Sequence, residues 1–298
     1  MNYHRLGNSD LIVSEIAFGC MSLEKGRSEN VSLLHKALDF GITLFDTADM
    51  YDKGENERAV GEAFRNRRQE VILATKVGNQ WKADGSGWNW NPRKKYILAS
   101  VEDSLKRLNT DYIDLYQLHG GTIDDPIDET IEAFERLKEQ GKIRAYGISS
   151  IRPNVIREYV KRSGIASVMM QYSLLDRRPE ESCFSLLHEN GISVLARGSV
   201  AKGLLAGKPV TSFLNYSPEE VKQAAEAIHA LSTSERNVAA MAIRFALYPP
   251  VVTTAVVGIR TDAQLKEALK AANAPMLTIA EHKELSNVLS ANHYQEHR

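Results

Sequence analysis

Cysteine is nearly missing from this 298-residue chain: Cys20 and Cys183 stand alone, with no CxxC and no metal-ligand spacing. No disulfide framework can be built from them, and a reducing compartment is the natural setting. Charge of one sign is also lacking. The 37 Lys and Arg nearly balance 38 Asp and Glu, so a net −1 gives no reason to expect nucleic acid or an anionic membrane as the main partner. No run approaches the roughly 18 consecutive apolar residues of a membrane helix. The opening residues 1–7 lack the apolar stretch of a signal peptide. A cytoplasmic protein is therefore expected. The dinucleotide fingerprint GxGxxG is absent. His293 and His297 are four residues apart without an HExxH around them, so the tail reads as solvated and no metal is expected.

What is present is ordinary globular composition, 43% hydrophobic and 25% charged, in a length that suits one large α/β barrel or two domains. Short β-rich runs alternate with segments of helical period, the pattern of βα units and a parallel sheet. Eight strands are expected at 16–18, 43–46, 71–76, 113–118, 145–149, 168–172, 193–196 and 252–257. Between them, 96–108 sets Ile97, Val101, Leu105 and Leu108 on one face, and 127–139 does the same with Ile131, Phe134 and Leu137. Gly141 marks a helix end, and Ser217 before Pro218 marks a start. This pattern fits a (β/α)8 TIM barrel, with a hairpin at 6–13 turning through Gly7-Asn8-Ser9-Asp10. Extra helices are expected at 218–231 and 278–292, the first ahead of a helix at 238–247. With no linker or composition shift, residues 1–298 are expected to form one domain.

Three of these strands run into ionisable residues: Asp46, Lys76 and His119, with Tyr51 five residues beyond Asp46. In TIM barrels the reacting residues lie at the C-terminal strand ends. A tyrosine near pKa 10 is a poor acid at neutral pH. An adjacent lysine ammonium would lower that value, and an aspartate would hold the lysine charged. Tyr51 can then protonate an oxygen as a hydride arrives at the adjacent carbon, and His119 can orient and polarise the same carbonyl. Each residue alone has a plainer reading as a cap, a packing group or a solvated charge. Four together at neighbouring strand ends favour an enzyme.

The stretches Asp46-Thr47-Ala48-Asp49-Met50-Tyr51, Gly54-Glu55-Asn56-Glu57, Ala74-Thr75-Lys76 and Leu118-His119 strongly resemble the aldo-keto reductases. Phe18-Gly19, residues 137–149, Gln171-Tyr172-Ser173, residues 203–208 and Val257-Gly258-Ile259-Arg260 extend the likeness from the first strand to the eighth. The resemblance implies a barrel that uses NADPH without a Rossmann fold to reduce aldehydes or ketones. Tyr51 would be the general acid, supported by Asp46, Lys76 and His119. Ser149 and Gln171 would hold the nicotinamide carboxamide. The segment with Arg197, Ser199, Lys202, Gly203 and Leu205 would lie along the pyrophosphate. Gly258, Arg260 and Gln264 would meet the adenosine end, with Arg260 suited to a 2′-phosphate and hence to NADPH over NADH.

The chain departs from the common pattern in three places: Arg197-Gly198 replace an aromatic residue and serine, Ser150 an asparagine, and Ala268 an asparagine near the adenine. Other readings remain open. Lys76 can be the Schiff-base nucleophile of an aldolase, which requires a neutral amine that Asp46 opposes. Some proteins of this fold are non-catalytic redox-sensing or channel-associated subunits. The loop 78–92, with Trp81, Trp88 and Trp90, either walls a substrate pocket or anchors itself by packing. The small carbonyl substrate and the oligomeric state are not specified by these patterns.

Overall fold

The computed structural model describes residues 1–24, 26 and 28–298. Eight parallel strands close into a barrel in chain order: β3 (Ile16–Gly19), β4 (Leu44–Asp46), β5 (Ile72–Val77), β8 (Ile113–Leu118), β9 (Ile143–Ser149), β10 (Ser167–Gln171), β11 (Ser193–Arg197) and β12 (Val252–Gly258). Around it lie α1 (Glu29–Asp39), α2 (Glu55–Phe64), α3 (Lys94–Leu108), α4 (Ile127–Glu139), α5 (Pro153–Arg162), α6 (Cys183–Glu189), α8 (Val238–Leu247) and α9 (Asp262–Asn273). Two additions are α7 (Pro218–Ala230) and α10 (Ile279–Val288), each opened by a capping box, Ser217 with Glu220 and Thr278 with Glu281. Among the described residues, no helix is long and apolar enough to cross a membrane.

The pleat decides what fills the barrel. Alternate residues point inward, and Ala17, Leu44, Ala74, Leu115, Ala145, Met169, Leu195 and Val256, one from each strand, form a single buried inner cluster. Leu6, Leu11 and Val13 join it from the N-terminal hairpin and close the bottom of the barrel. That hairpin pairs β1 (Tyr3–Arg5) with β2 (Ile12–Ser14). The hairpin is therefore longer than the expected 6–13: β1 precedes that span, and β2 begins within it at Ile12. Residues 6–11 are the connection, closed by Leu6 N–H on the Leu11 carbonyl at 2.9 Å. Gly7 is required in that connection: at φ +54 an added Cβ would stand 2.2 Å from the Ala166 carbonyl oxygen. A buried pair, Arg244 to Glu15 at 2.9 and 3.2 Å, ties α8 to the approach to β3, and Arg244 also donates to the Ala272 carbonyl in α9.

The outer core follows the helical periods, with Ile97, Val101, Leu105 and Leu108 of α3 and Ile127, Ile131, Phe134 and Leu137 of α4 all buried. Two expectations are corrected. The terminal helix stops at Val288, because Leu289 turns extended and Asn292 leaves to bond the Arg177 amide and the Leu175 carbonyl. The tryptophan-bearing segment is a hairpin, β6 (Asn79–Trp81) paired with β7 (Trp88–Trp90). Trp90 anchors it: Nε1 donates to both oxygens of Asp125 at 2.9 and 3.0 Å. Gly78 and Gly120 lie against the same ring, where an added Cβ would come within 2.6 and 3.4 Å.

Candidate active site

The inward phase that fills the barrel continues to its C-terminal mouth. Two residues beyond Leu44, Ala74 and Leu115 stand Asp46, Lys76 and Gln117, and strand pairing aligns Asp46 with Ala74 and Lys76 with Gln117. Lys76 (1% exposed) donates to Asp46 Oδ2 (4% exposed) and to the Thr47 carbonyl, each at 2.7 Å. Its Nζ is 3.5 Å from the Tyr51 hydroxyl, and Gln117 Nε2 reaches Asp46 Oδ1 at 3.4 Å. His119 follows β8 and sets its ring edge-on to Tyr51, with centroids 5.9 Å apart. All four expected residues are therefore brought together.

Electrostatics divides their states. Burial works against the Lys76 ammonium, but Asp46 and Tyr51 outweigh it and hold its pKa above the ordinary lysine value. Burial raises the Asp46 carboxyl, opposed by Lys76. For Tyr51 the expected direction is reversed: burial raises the phenol, although Lys76 and Arg197 pull it back. Tyr51 therefore stays protonated at neutral pH. His119 is pushed down to about 3 by burial and by the positive charges of Lys76 and Arg197, so it is a neutral imidazole. Its Nδ1 is buried without a hydrogen-bond partner.

A brace surrounds the four. Thr47 Oγ1 donates to Asn56 Oδ1 at 2.7 Å, and Asn56 Nδ2 donates to the Cys20 carbonyl at 2.8 Å. Thr75 faces outward from β5 and donates to the buried Glu57 at 2.6 Å, and Glu57 accepts from Arg107 at 2.6 Å. Nearby Asp49 is pushed up to about 8 by burial and by Glu57. Gln117 is the site residue that strand-end reasoning missed; its signal was its inward phase, two positions beyond Leu115.

A cavity of about 860 Å³ opens at the mouth, lined by Met21, Met50, Tyr51, Asp52, Lys53, Glu55 and Trp81. Lys53 Nζ lies 5.1 Å above the Trp81 ring. The tryptophans thus divide their tasks: Trp81 walls the pocket and Trp90 packs. A second cleft of about 640 Å³ opens at the other end of the barrel, around β1 and the connection from α8 to β12, and contains none of the four.

Ser149, Gln171 and Arg197 end consecutive strands β9, β10 and β11, and Gln171 pairs with Arg197 in register. Ser199 is buried, whereas Lys202 is exposed in a left-handed turn at φ 58 followed by Gly203 at φ 96. Leu205 is corrected: its side chain is fully buried in the outer core and its amide is taken by the Val200 carbonyl, so it does not face the mouth. Gly258 and Arg260 are exposed at the end of β12 and beyond it. Gln264 turns back in the first turn of α9, where its Oε1 accepts from the Arg260 amide at 3.0 Å. Of the departing positions, Ser150 Oγ accepts from the Arg152 amide at 3.2 Å, and Ala268 is buried on the inner face of α9.

A parallel barrel with a buried lysine–carboxylate pair beneath a protonated phenol can hold and deliver a proton at its mouth. Residues 15–290 match the model of the aldo/keto reductase family, and the chain belongs to that family of oxidoreductases. It is 50% identical to the uncharacterized oxidoreductase YqkF of Bacillus subtilis (strain 168) over the whole of both chains. The holo form of aldo-keto reductase AKR11C1 from Bacillus halodurans superposes with a TM-score of 0.95 at 50% identity, covering 100% of this chain and 99% of that one. The NADH-specific methylglyoxal reductase of Escherichia coli (strain K12) is 33% identical over 68% of each chain, so membership alone does not determine the cofactor.

Proposed function

We propose that this protein reduces a small aldehyde or ketone to the alcohol with NADPH, using Tyr51 as the proton donor. The observation that carries this reading is the hydrogen-bonded line from Asp46 through Lys76 to Tyr51, beside a neutral His119. NADPH, when held by Ser149 and Gln171, would supply the hydride that the carbonyl carbon needs. Tyr51 gives its proton to the oxygen and is reprotonated from solvent, so the net reaction consumes one hydride and one proton. Lys76 stabilises the phenolate left behind, and Asp46 and the Thr47 carbonyl hold Lys76 in place. The imidazole of His119, never charged in the working range, donates a hydrogen bond to the carbonyl oxygen.

The residues present fit the cofactor. Ser149 and Gln171 offer a hydroxyl and an amide at adjacent strand ends, and Lys202 and Arg260 offer exposed cations for phosphate. Arg260 supports a 2′-phosphate and hence NADPH. A cytoplasmic setting belongs to the same proposal, supported by the free, buried Cys20 and Cys183. The aldolase alternative meets direct opposition, because Lys76 is held charged. Tyr51→Phe should lower kcat for aldehyde reduction by roughly 10²–10⁴-fold with NADPH affinity little changed. Turnover within threefold of wild type would remove Tyr51 from the mechanism.

A further inference from the structure

Arg197 stands at the mouth of the barrel. It ends β11 on the inner face, and Nη1 donates to Gln171 Oε1 at 3.0 Å. Arginine has only donors, so this bond assigns the Gln171 amide: its oxygen faces Arg197 and its Nε2 is left to donate elsewhere. Among the described residues no carboxylate lies within ion-pair distance of Arg197, although its charge reaches Asp46, Tyr51 and His119. The Asp46–Lys76 pair sums to zero charge, Tyr51 is protonated and His119 is neutral. Among the charges that act on Tyr51 and His119, the one left uncompensated is therefore that of Arg197.

We propose that Arg197 makes the pocket select the reduced nicotinamide over the oxidised one, so that NADPH binds more tightly than NADP⁺. This rests on the function proposed above. A carbonyl oxygen in hydrogen-bond reach of Tyr51 places its carbon, and the hydride donor about 3–3.5 Å from it, inside the field of Arg197. The oxidised ring carries a positive charge there and the reduced ring does not. Phosphate contacts are common to both forms and cancel in the ratio of affinities, since only a differential interaction shifts it. Two like charges within about 6–12 Å of each other at an effective dielectric near 20 repel by an amount worth roughly ten- to a hundredfold in affinity. Arg197 is half-buried, and screening by solvent reduces this to roughly tenfold. An aromatic side chain at this position would act with the opposite sign, because a ring face attracts a cation. The consequence for the reaction is direct: spent cofactor leaves readily, and turnover is biased toward carbonyl reduction.

Titration of the apo-protein with NADPH and with NADP⁺, by calorimetry, tests this without turnover. Wild type should show a Kd for NADP⁺ about tenfold above that for NADPH. Arg197→Met should bring the ratio to within about threefold of unity, Arg197→Tyr should bring it to unity or invert it, and Arg197→Lys should preserve most of it. Both constants come from one preparation, so a misfolded fraction alters stoichiometry and leaves the ratio intact. A wild-type ratio within twofold of unity, or one unchanged in Arg197→Met, overturns the role of Arg197. Failure of wild type to bind either nucleotide would overturn the cofactor reading beneath it, and this proposal with it.

Discussion

Replacing Lys76 by Met, Asp46 by Asn, and both together should expose how the site is held. In Lys76→Met, Asp46 loses its 2.7 Å donor and keeps only the long contact from Gln117 at 3.4 Å, at 4% exposure. In Asp46→Asn, Lys76 keeps the Thr47 carbonyl at 2.7 Å but loses its counter-charge. Breaking a buried pair from one side costs about 3–5 kcal/mol, because a charge is left uncompensated. Each single variant should lose about that much against the 5–15 kcal/mol typical of a folded domain. The double variant leaves no unpaired charge, so it should lose less than the sum by about 2 kcal/mol or more. Urea unfolding followed by circular dichroism, at a temperature where all four proteins are folded, gives the cycle. The Lys76→Met variant carries an internal control. Its Asp46 carboxyl is raised further, so its stability is full below the ordinary aspartate pKa and is lost as pH rises through the higher folded value. It should therefore sit closer to wild type at pH 5 than at pH 8. Singles each costing under 1 kcal/mol, or losses that add within about 0.5 kcal/mol, would refute a tightly coupled pair.

Asp49, raised to about 8 by burial and Glu57, should contribute stability that is fully present below about pH 4 and is lost as pH rises through 8, at up to about 1.4 kcal/mol per pH unit. Asp49→Asn should flatten that slope in thermal melts from pH 5 to 9, and an equal slope in both proteins would place the titration elsewhere. Trp90→Phe removes both hydrogen bonds to Asp125 and should cost about 1–3 kcal/mol in urea unfolding; no loss would mean the indole N–H is not what anchors the β6–β7 hairpin. Arg260→Ala should weaken NADPH by roughly ten- to a hundredfold and leave NADH nearly unchanged in fluorescence titrations. Equal losses for both nucleotides would mean Arg260 does not read the 2′-phosphate.

Strands and catalytic candidates were legible for the same reason. A buried parallel strand reads as an apolar run, so an ionisable residue at its end stands out, as Asp46, Lys76 and His119 do. What escaped lies where that contrast fails. The β6 and β7 strands are three residues each, half polar, and paired through tryptophans and asparagines, so they carry no apolar alternation. Leu289 and Tyr294 are both buried and prolong an apparently helical pattern past Val288, although irregular chain carries them. Leu205 was placed by its neighbours in a motif, and its burial depends on packing that no local pattern encodes. The phenol of Tyr51 shifted upward because desolvation, a property of the assembled barrel, outweighed the lysine that sequence alone could name.

The conjunction of Thr75 with Lys76 explains why the site is placed so firmly. Successive residues of a strand point to opposite faces, so Lys76 enters the barrel toward Asp46 while Thr75 leaves it toward Glu57. Glu57 is in turn held by Arg107 on α3, and its neighbour Asn56 on α2 reaches Thr47, the residue whose carbonyl receives Lys76. The end of β5 is thus fastened on both faces, by an ion pair inside and a hydrogen-bonded carboxylate outside. The turn carrying Tyr51 runs between these fastenings, through two left-handed residues, Asp52 at φ 48 and Lys53 at φ 57. A backbone so disposed is held only where its surroundings over-determine it. The polar residues of the Gly54-Glu55-Asn56-Glu57 stretch therefore serve the chemistry at one remove: Asn56 and Glu57 touch none of the four proposed catalytic side chains, yet they fix the strand and the turn that bring Lys76 to Tyr51.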